Sequence, residues 1–316
     1  MKVKWLVVLS IYSSNNFFSQ VSEAYVMETL RKYSPSSYFI VYQFKVNGNS
    51  ISYDNSSTSS SMEHLKYCNL SDTKSFLSSI STTVHETTHA LDSQIPYMFA
   101  KQGIFSFDNR GHEGFIFDQN YKLAYSYSEK SFFQSRELAK VIPLNLRTFR
   151  YDTYIESKSK IQSTQSNGVI GLMEEFNAYY HGSKVEYDLL PVYKEVYGNN
   201  FLWSWSSNFT SNADAFYEFD FWIKEYLLFC KTHNPKLYDA LSKDENFKTI
   251  YKNIRSRFSD LILQYEKKYD EFNTLAQKSK EYIYSSKKHS ESIYPILSEQ
   301  IKSSRYAEIE RIFLNY

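Results

Sequence analysis

The clearest periodicity in the chain lies at Phe76, Leu77, Ile80, Val84, Thr88 and Leu91, which recur at spacings of one, three and four residues. Such spacing gathers side chains on one helical face, so a buried amphipathic helix is predicted over about residues 73–94. Ser71, Asp72 and Thr73 offer N-caps, and Pro96 stops the segment. Thr82, Thr83, Val84, Thr87 and Thr88 are β-branched and each costs a few tenths of a kcal/mol in a helix, so packing has to override local preference.

The remaining pattern divides the chain into two lobes. Residues 22–33 read as a helix, and residues 38–46 alternate as a strand closed by the turn Asn47-Gly48-Asn49. A short strand follows at residues 51–53, and residues 55–62 are almost purely Ser, Thr and Asn, a surface loop. Residues 104–107 and 115–117 alternate around Arg110-Gly111 and suggest a hairpin whose edge could pair with an extended peptide. Beyond the polar stretch at residues 156–167, helical periodicity takes over: residues 169–187, residues 213–232, and several amphipathic helices from Pro235 onward. The expected class is therefore α+β, mostly α. Its parts are a lobe over residues 20–165 with a small N-terminal sheet and the helix at 73–94, then a helical lobe over 166–316.

Composition adds three constraints. The 316 residues carry 36 Lys plus Arg against 35 Asp plus Glu, and a net charge of +1 gives no field to recruit nucleic acid. Aromatics form 18% of the chain, with 29 Tyr and 24 Phe, while Gly and Pro number only 8 and 6, as suits a helix-rich fold with an aromatic core. The only two cysteines, Cys68 and Cys230, lie in no metal-binding spacing and read either as a pair in an exported protein or as two buried thiols. Residues 1–19, with a basic start, an apolar run and Ser19 as a small residue at the end, read as a short signal peptide. A secreted or periplasmic protein is the expectation, and a cytoplasmic one if that segment is instead a buried strand. No later run approaches the ~18 apolar residues of a membrane span.

Candidate chemistry concentrates at His85-Glu86-Thr87-Thr88-His89. On a helix the two imidazoles share one face and can grip a single zinc ion, while Glu86, one step round, reaches the metal's water without ligating. A catalytic zinc keeps three protein ligands and one open position, so another donor is required. Residue 95 is Ile, which excludes the long pattern with a third ligand six residues past His89. The paired acids Glu174 and Glu175 lie on the strongly helical run at residues 169–187. Glu175 is favoured, since Gly171, Ala178 and Gly182 at turns to either side would let two helices approach closely; Glu174 is the alternative. His112, Glu113 and Asp118 are further rivals. Asp92 could orient an imidazole or merely cap, and His181 is the choice for a donor to a tetrahedral intermediate, with Tyr179 and Tyr180 as alternatives.

This arrangement resembles the gluzincin class of zinc metallopeptidases, in which a His-Glu-x-x-His helix is completed by a glutamate on a later helix, often followed by an Asp that supports the first histidine. Glu175-Phe176-Asn177-Ala178 matches that second segment, but Tyr179 stands where the Asp would. The resemblance implies a zincin-like catalytic core, one Zn2+ held by His85, His89 and Glu175, and a peptide or protein substrate hydrolysed by metal-activated water with Glu86 as general base. Two other readings remain: a non-enzymatic helical binding or structural protein with a coincidental motif, and a zinc amidase acting on a non-protein amide.

Overall fold

A computed structural model describes residues 20–128, 131–279 and 293–315; the expected signal peptide at residues 1–19 lies outside them, as does His289. Among the described residues 68% are helical, with two antiparallel two-stranded sheets. Helices α1 (Glu23–Tyr33) and α2 (Pro35–Asn47) lead into strands β1 (Ser50–Tyr53) and β2 (Ser56–Ser59). Helix α3 (Thr73–Asp92) and the short α4 (Ile95–Lys101) follow, then β3 (Gly111–Asp118) and β4 (Tyr121–Tyr127). Two single-turn helices, α5 (Tyr151–Tyr154) and α6 (Ser163–Ser166), precede the long α7 (Val169–Asp188). The rest is helical: α8 (Leu190–Tyr197), α9 (Phe201–Ala213), α10 (Ala215–His233), α11 (Pro235–Lys243), α12 (Glu245–Ser279), α13 (Tyr294–Gln300) and α14 (Ala307–Ile309). Among the described residues no helix is long and apolar enough to cross a membrane.

Several elements stand where the sequence places them. Ser22 caps α1 by accepting from Tyr25 N at 3.1 Å, and Asp72 caps α3 by accepting from Ser75 N at 2.9 Å. The β-branched residues of α3 satisfy themselves: the hydroxyls of Thr83, Thr87 and Thr88 donate to the carbonyls of Ser79, Thr83 and Val84 one turn back. Cys230 is buried, Cys68 half-buried, and neither is paired; burial pushes their thiols up to about 12 and about 11.

Other elements differ. Residues 38–46 belong to α2 and not to a strand, because the positions actually buried are Ser37, Ile40, Val41 and Phe44, a helical spacing, with Pro35 at its start and Gly48 at φ 75° beyond its end. The Ser-rich loop supplies β2, which pairs with β1 around Asp54 at φ 54°. The expected hairpin forms between different strands: β3 pairs with β4 from Gly111↔Tyr127 to Asp118↔Tyr121, and residues 104–107 are irregular. Pro96 does not end helical structure; it sits in the first turn of α4.

One core cluster runs from Val21 to Leu314, with α7 packed against α3, α9, α10 and α12. The α3–α7 contact is tied to β3 by a buried polar knot. Asp92 accepts from Ile116 N at 2.9 Å through one carboxylate oxygen and from Asn177 Nδ2 at 3.0 Å through the other. The Ile116 carbonyl in turn accepts from Asn177 Nδ2 at 3.1 Å and His181 Nε2 at 2.8 Å. The edge of β3 turned toward α3 is therefore taken at Ile116.

Close approach has a steric requirement too. A Cβ on Gly114 would lie 2.3 Å from the Asp92 carbonyl oxygen and 2.5 Å from Ile95 Cβ. Gly114→Ala is expected to cost about 1–3 kcal/mol or more in a urea denaturation, and an unchanged midpoint would show that β3 is free to back away. Farther along α7, Glu186 is fully buried and accepts from the Tyr193 hydroxyl at 2.6 Å; burial raises its carboxyl from 4.5 to about 8. The stability this group contributes is complete below its unfolded pKa and is lost as pH rises through about 8. Replacing it (Glu186→Gln) should relieve that loss, shifting the mutant-minus-wild-type stability in the mutant's favour by on the order of a few kcal/mol as pH is raised across this range.

Candidate metal centre

His85 and His89 project from the same face of α3, one turn apart, and Glu175 meets them from α7. The imidazole Nε2 atoms stand 3.2 Å apart, and Glu175 Oε2 lies 3.4 Å from that of His85 and 3.3 Å from that of His89. Three ligands held tetrahedrally at about 2.0–2.1 Å from one centre are about 3.3 Å from one another, so this triangle has the size a metal ion requires. Glu175 Oε2 is buried and accepts no hydrogen bond from any described residue, an oxygen aimed at the gap between two imidazoles. These three side chains form a group that could hold a metal ion.

Electrostatics within the group are strongly complementary. Burial alone would raise the Glu175 carboxyl, but His89 and His85 hold it far below the carboxylate range. Burial likewise opposes charge on His89, yet Glu175 above all raises its imidazole to about 9. A negative oxygen facing two nitrogen lone pairs suits a divalent cation for the same reason that it suits a proton.

Other carboxylates lie close enough to the centre for their charge to reach His89. Glu174 lies near Glu113 on β3 and Ser163, its Oε1 is buried without a hydrogen-bond partner among the described residues, and its charge reaches His89. Burial and the charge of Glu174 push the Glu113 carboxyl well above the usual range. Glu86 is half-buried; among the described residues its carboxylate has no hydrogen bond or ion pair, though its charge reaches His89.

Geometry corrects part of the reasoning that favoured Glu175. Gly182 does face α3: an added Cβ would stand 3.2 Å from the Ser81 carbonyl and 3.6 Å from His85 Cβ. Gly171 instead admits the backbone of Ser163, 2.2 Å from where its Cβ would be, and has no part in the α3 contact.

The remaining predicted site residues are placed elsewhere. His181 is buried within the knot, its Nε2 engaged by Ile116 and its pKa lowered to about 4 by burial, so it is neutral and committed to holding β3. Asp92 holds the same strand rather than an imidazole. His112 packs against Phe105 and Phe107 with Nδ1 2.9 Å from the Ser126 hydroxyl, and Asp118 pairs with Arg257 at 2.9 Å. Tyr180 packs against Phe258 on α12.

Tyr179 is the exception. Its ring meets the His85 ring edge to face at 4.5 Å, its hydroxyl lies 3.1 Å from that of Tyr154, and the Arg150 guanidinium stacks on it at 4.8 Å. Arg150 is itself buried in an ion pair with Glu218 at 2.7 Å. Tyr179 thus packs on His85 from one side and against the Arg150 cation on another. Tyr154, Arg150, Glu218 and Ser163 escaped sequence reading, because single residues at no diagnostic spacing carry no signal until the fold gathers them.

Comparison of the chain with protein-family models, with curated proteins and with solved structures finds no match. The assignment of the ligands is open to direct measurement. Wild-type protein should retain about one equivalent of a divalent metal, Glu174→Ala should retain it as well, and Glu175→Ala should lose it, as read by elemental analysis after mild purification. Stoichiometric metal in Glu175→Ala would move the third position to another residue.

Proposed function

We propose that the protein is a zinc-dependent peptidase of gluzincin type, cleaving peptide bonds at the centre formed by His85, His89 and Glu175. The observation that carries this reading is the triangle of two Nε2 atoms and an otherwise unpartnered buried carboxylate oxygen, with sides of 3.2–3.4 Å, built on a His-Glu-x-x-His helix. Two imidazoles and one carboxylate form a donor set that suits zinc and leaves a position open for reaction. Zinc held there supplies Lewis acidity, acidifying water and polarising a carbonyl oxygen.

The chain's own residues supply the rest. Glu86, next to His85 and free of competing partners, accepts the proton released by the attacking water and delivers it to the leaving amine. Glu175 orients its oxygen between the imidazoles, and the ring of Tyr179 steadies His85 from the side. His181 is engaged by Ile116, so the hydroxyls of Tyr154 and Tyr179 are the donors assigned to the negative charge that develops on the substrate carbonyl. The charge of Glu175 is felt at the Tyr154 hydroxyl, which supports a place for that pair beside the centre.

Glu86→Gln separates chemistry from metal binding. The variant should keep its zinc and lose about 10²–10⁴-fold in hydrolysis of a denatured protein substrate, followed by mass spectrometry of the fragments. Undiminished cleavage by the variant would end this reading, as would wild-type protein that holds zinc and cleaves no peptide bond across a broad peptide mixture.

A further inference from the structure

The two hydroxyls beside the centre belong to a longer chain of contacts. Arg150 stands just before the single turn α5, and Tyr154 ends that turn, its N–H donating to the Arg150 carbonyl at 3.1 Å. Both ends are fixed. The Tyr154 carbonyl accepts from the Thr164 hydroxyl at 2.8 Å and from the Gln165 amide at 2.9 Å. The Arg150 guanidinium donates to Glu218 on α10 at 2.7 Å and to the Ser211 carbonyl on α9. Tyr179, on α7, comes between them, its ring 4.8 Å from the guanidinium and its hydroxyl 3.1 Å from that of Tyr154. Arg150 is 5% exposed and Glu218 fully buried, so water does little to screen this cation.

The order of these groups gives the hydroxyls a direction. A guanidinium carries N–H donors and no acceptor, and its charge turns the oxygen of a neighbouring hydroxyl toward itself and the hydrogen away. Beyond burial, Arg150 is the strongest influence on the Tyr179 hydroxyl. The Tyr179 hydrogen therefore goes to the acceptor at hand, the Tyr154 oxygen. The reverse donation would leave that hydrogen beside a cation, with no other acceptor among the described residues. Tyr154, having accepted, keeps its own hydrogen for the side of the metal centre, where the charge of Glu175 is, beyond burial, the strongest influence on it. A hydroxyl that accepts a hydrogen bond becomes a better donor, so each link strengthens the next.

We propose that Arg150 and Tyr179 are positioning residues acting in series through Tyr154, whose hydroxyl is the one that delivers its hydrogen to the negative charge developing on the substrate carbonyl. This assignment rests on the peptidase reading and adds an order to its two hydroxyls. Glu218 holds the guanidinium in place and offsets the cost of burying it.

A mutant cycle on the full chain, zinc-loaded and given the peptide that wild type cleaves best, tests the series. Tyr154→Phe should lower kcat about 10²–10³-fold, with KM and metal content little changed. Arg150→Met combined with Glu218→Gln, which strands no buried charge, should lower kcat about tenfold alone and less than about twofold in the Tyr154→Phe background. Tyr179→Phe should behave likewise, and it replaces that pair should the pair fail to fold. The phosphonate analogue of the same peptide gives a reading free of turnover: its affinity by calorimetry should fall about tenfold or more in Tyr154→Phe and several-fold when Arg150 is replaced. A merely structural role for Arg150 would lower kcat equally in both backgrounds. Equal losses there, or full activity and analogue affinity in Tyr154→Phe, overturn the proposal and leave the peptidase reading standing; wild type that cleaves no peptide ends both.

Discussion

The backbone of a single residue, Ile116, organises the centre of this molecule. Its N–H donates to Asp92 on α3 and its carbonyl accepts from Asn177 and His181 on α7, so the two peptide groups flanking one residue tie β3 to both helices. Buried polar groups left without partners cost roughly 1–3 kcal/mol each, and this knot therefore tolerates little sliding of α3 against α7 or of β3 against either. His85 and His89 lie within two turns of Asp92, and Glu175 is two residues before Asn177. Whatever sets the knot also sets the distances among those three side chains. Gly114 and Gly182 allow it by removing the side chains that would hold the elements apart.

Adjacent glutamates on one helix meet opposite fates as a result. A step of one residue turns Glu174 through about 100°, to lie near Glu113 on β3, and burial raises its carboxyl. Glu175 faces two imidazoles and stays ionised. Burial penalises both carboxylates, and the difference lies wholly in what stands opposite them. A related division separates two of the buried cations, Arg150 and Lys224. Arg150 is placed against Tyr179 and so touches the centre through a ring, whereas Lys224, enclosed by Asp220, Glu310 and the Ile301 carbonyl, fastens the C-terminal segment to α10.

How much of this was legible in advance depends on whether the information is local. The helix bearing His85 and His89 announced itself through a long apolar stripe and an N-cap, and α7 through its sustained periodicity, so their bounds fell within a residue or two. Glu175 was legible as a member of a pair of acids on a helix with small neighbours, although one of those neighbours, Gly171, proved to serve α6. Residues 38–46 misled because a run dense in aromatics and Val or Ile satisfies a period of two as easily as 3.6, and only burial decides. His181 reads as a candidate donor because that duty commonly falls to a His or Tyr in zinc peptidases; nothing local reveals that a strand 65 positions earlier claims its ring. The Tyr154, Arg150 and Glu218 arrangement is of the same nature, a product of long-range packing alone.

The helix α3 is rich in threonine whose hydroxyls turn back on their own carbonyls, a habit that satisfies buried oxygens but leaves the isolated helix weak. Out of the folded molecule, His85 and His89 would seldom sit one turn apart, and the denatured chain would have little grip on an ion. An ion held at the centre would thereby convert its binding energy almost undiluted into resistance to unfolding, since mass action favours whichever state alone can hold the ligand. Melting temperature would then be a gauge of metal supply.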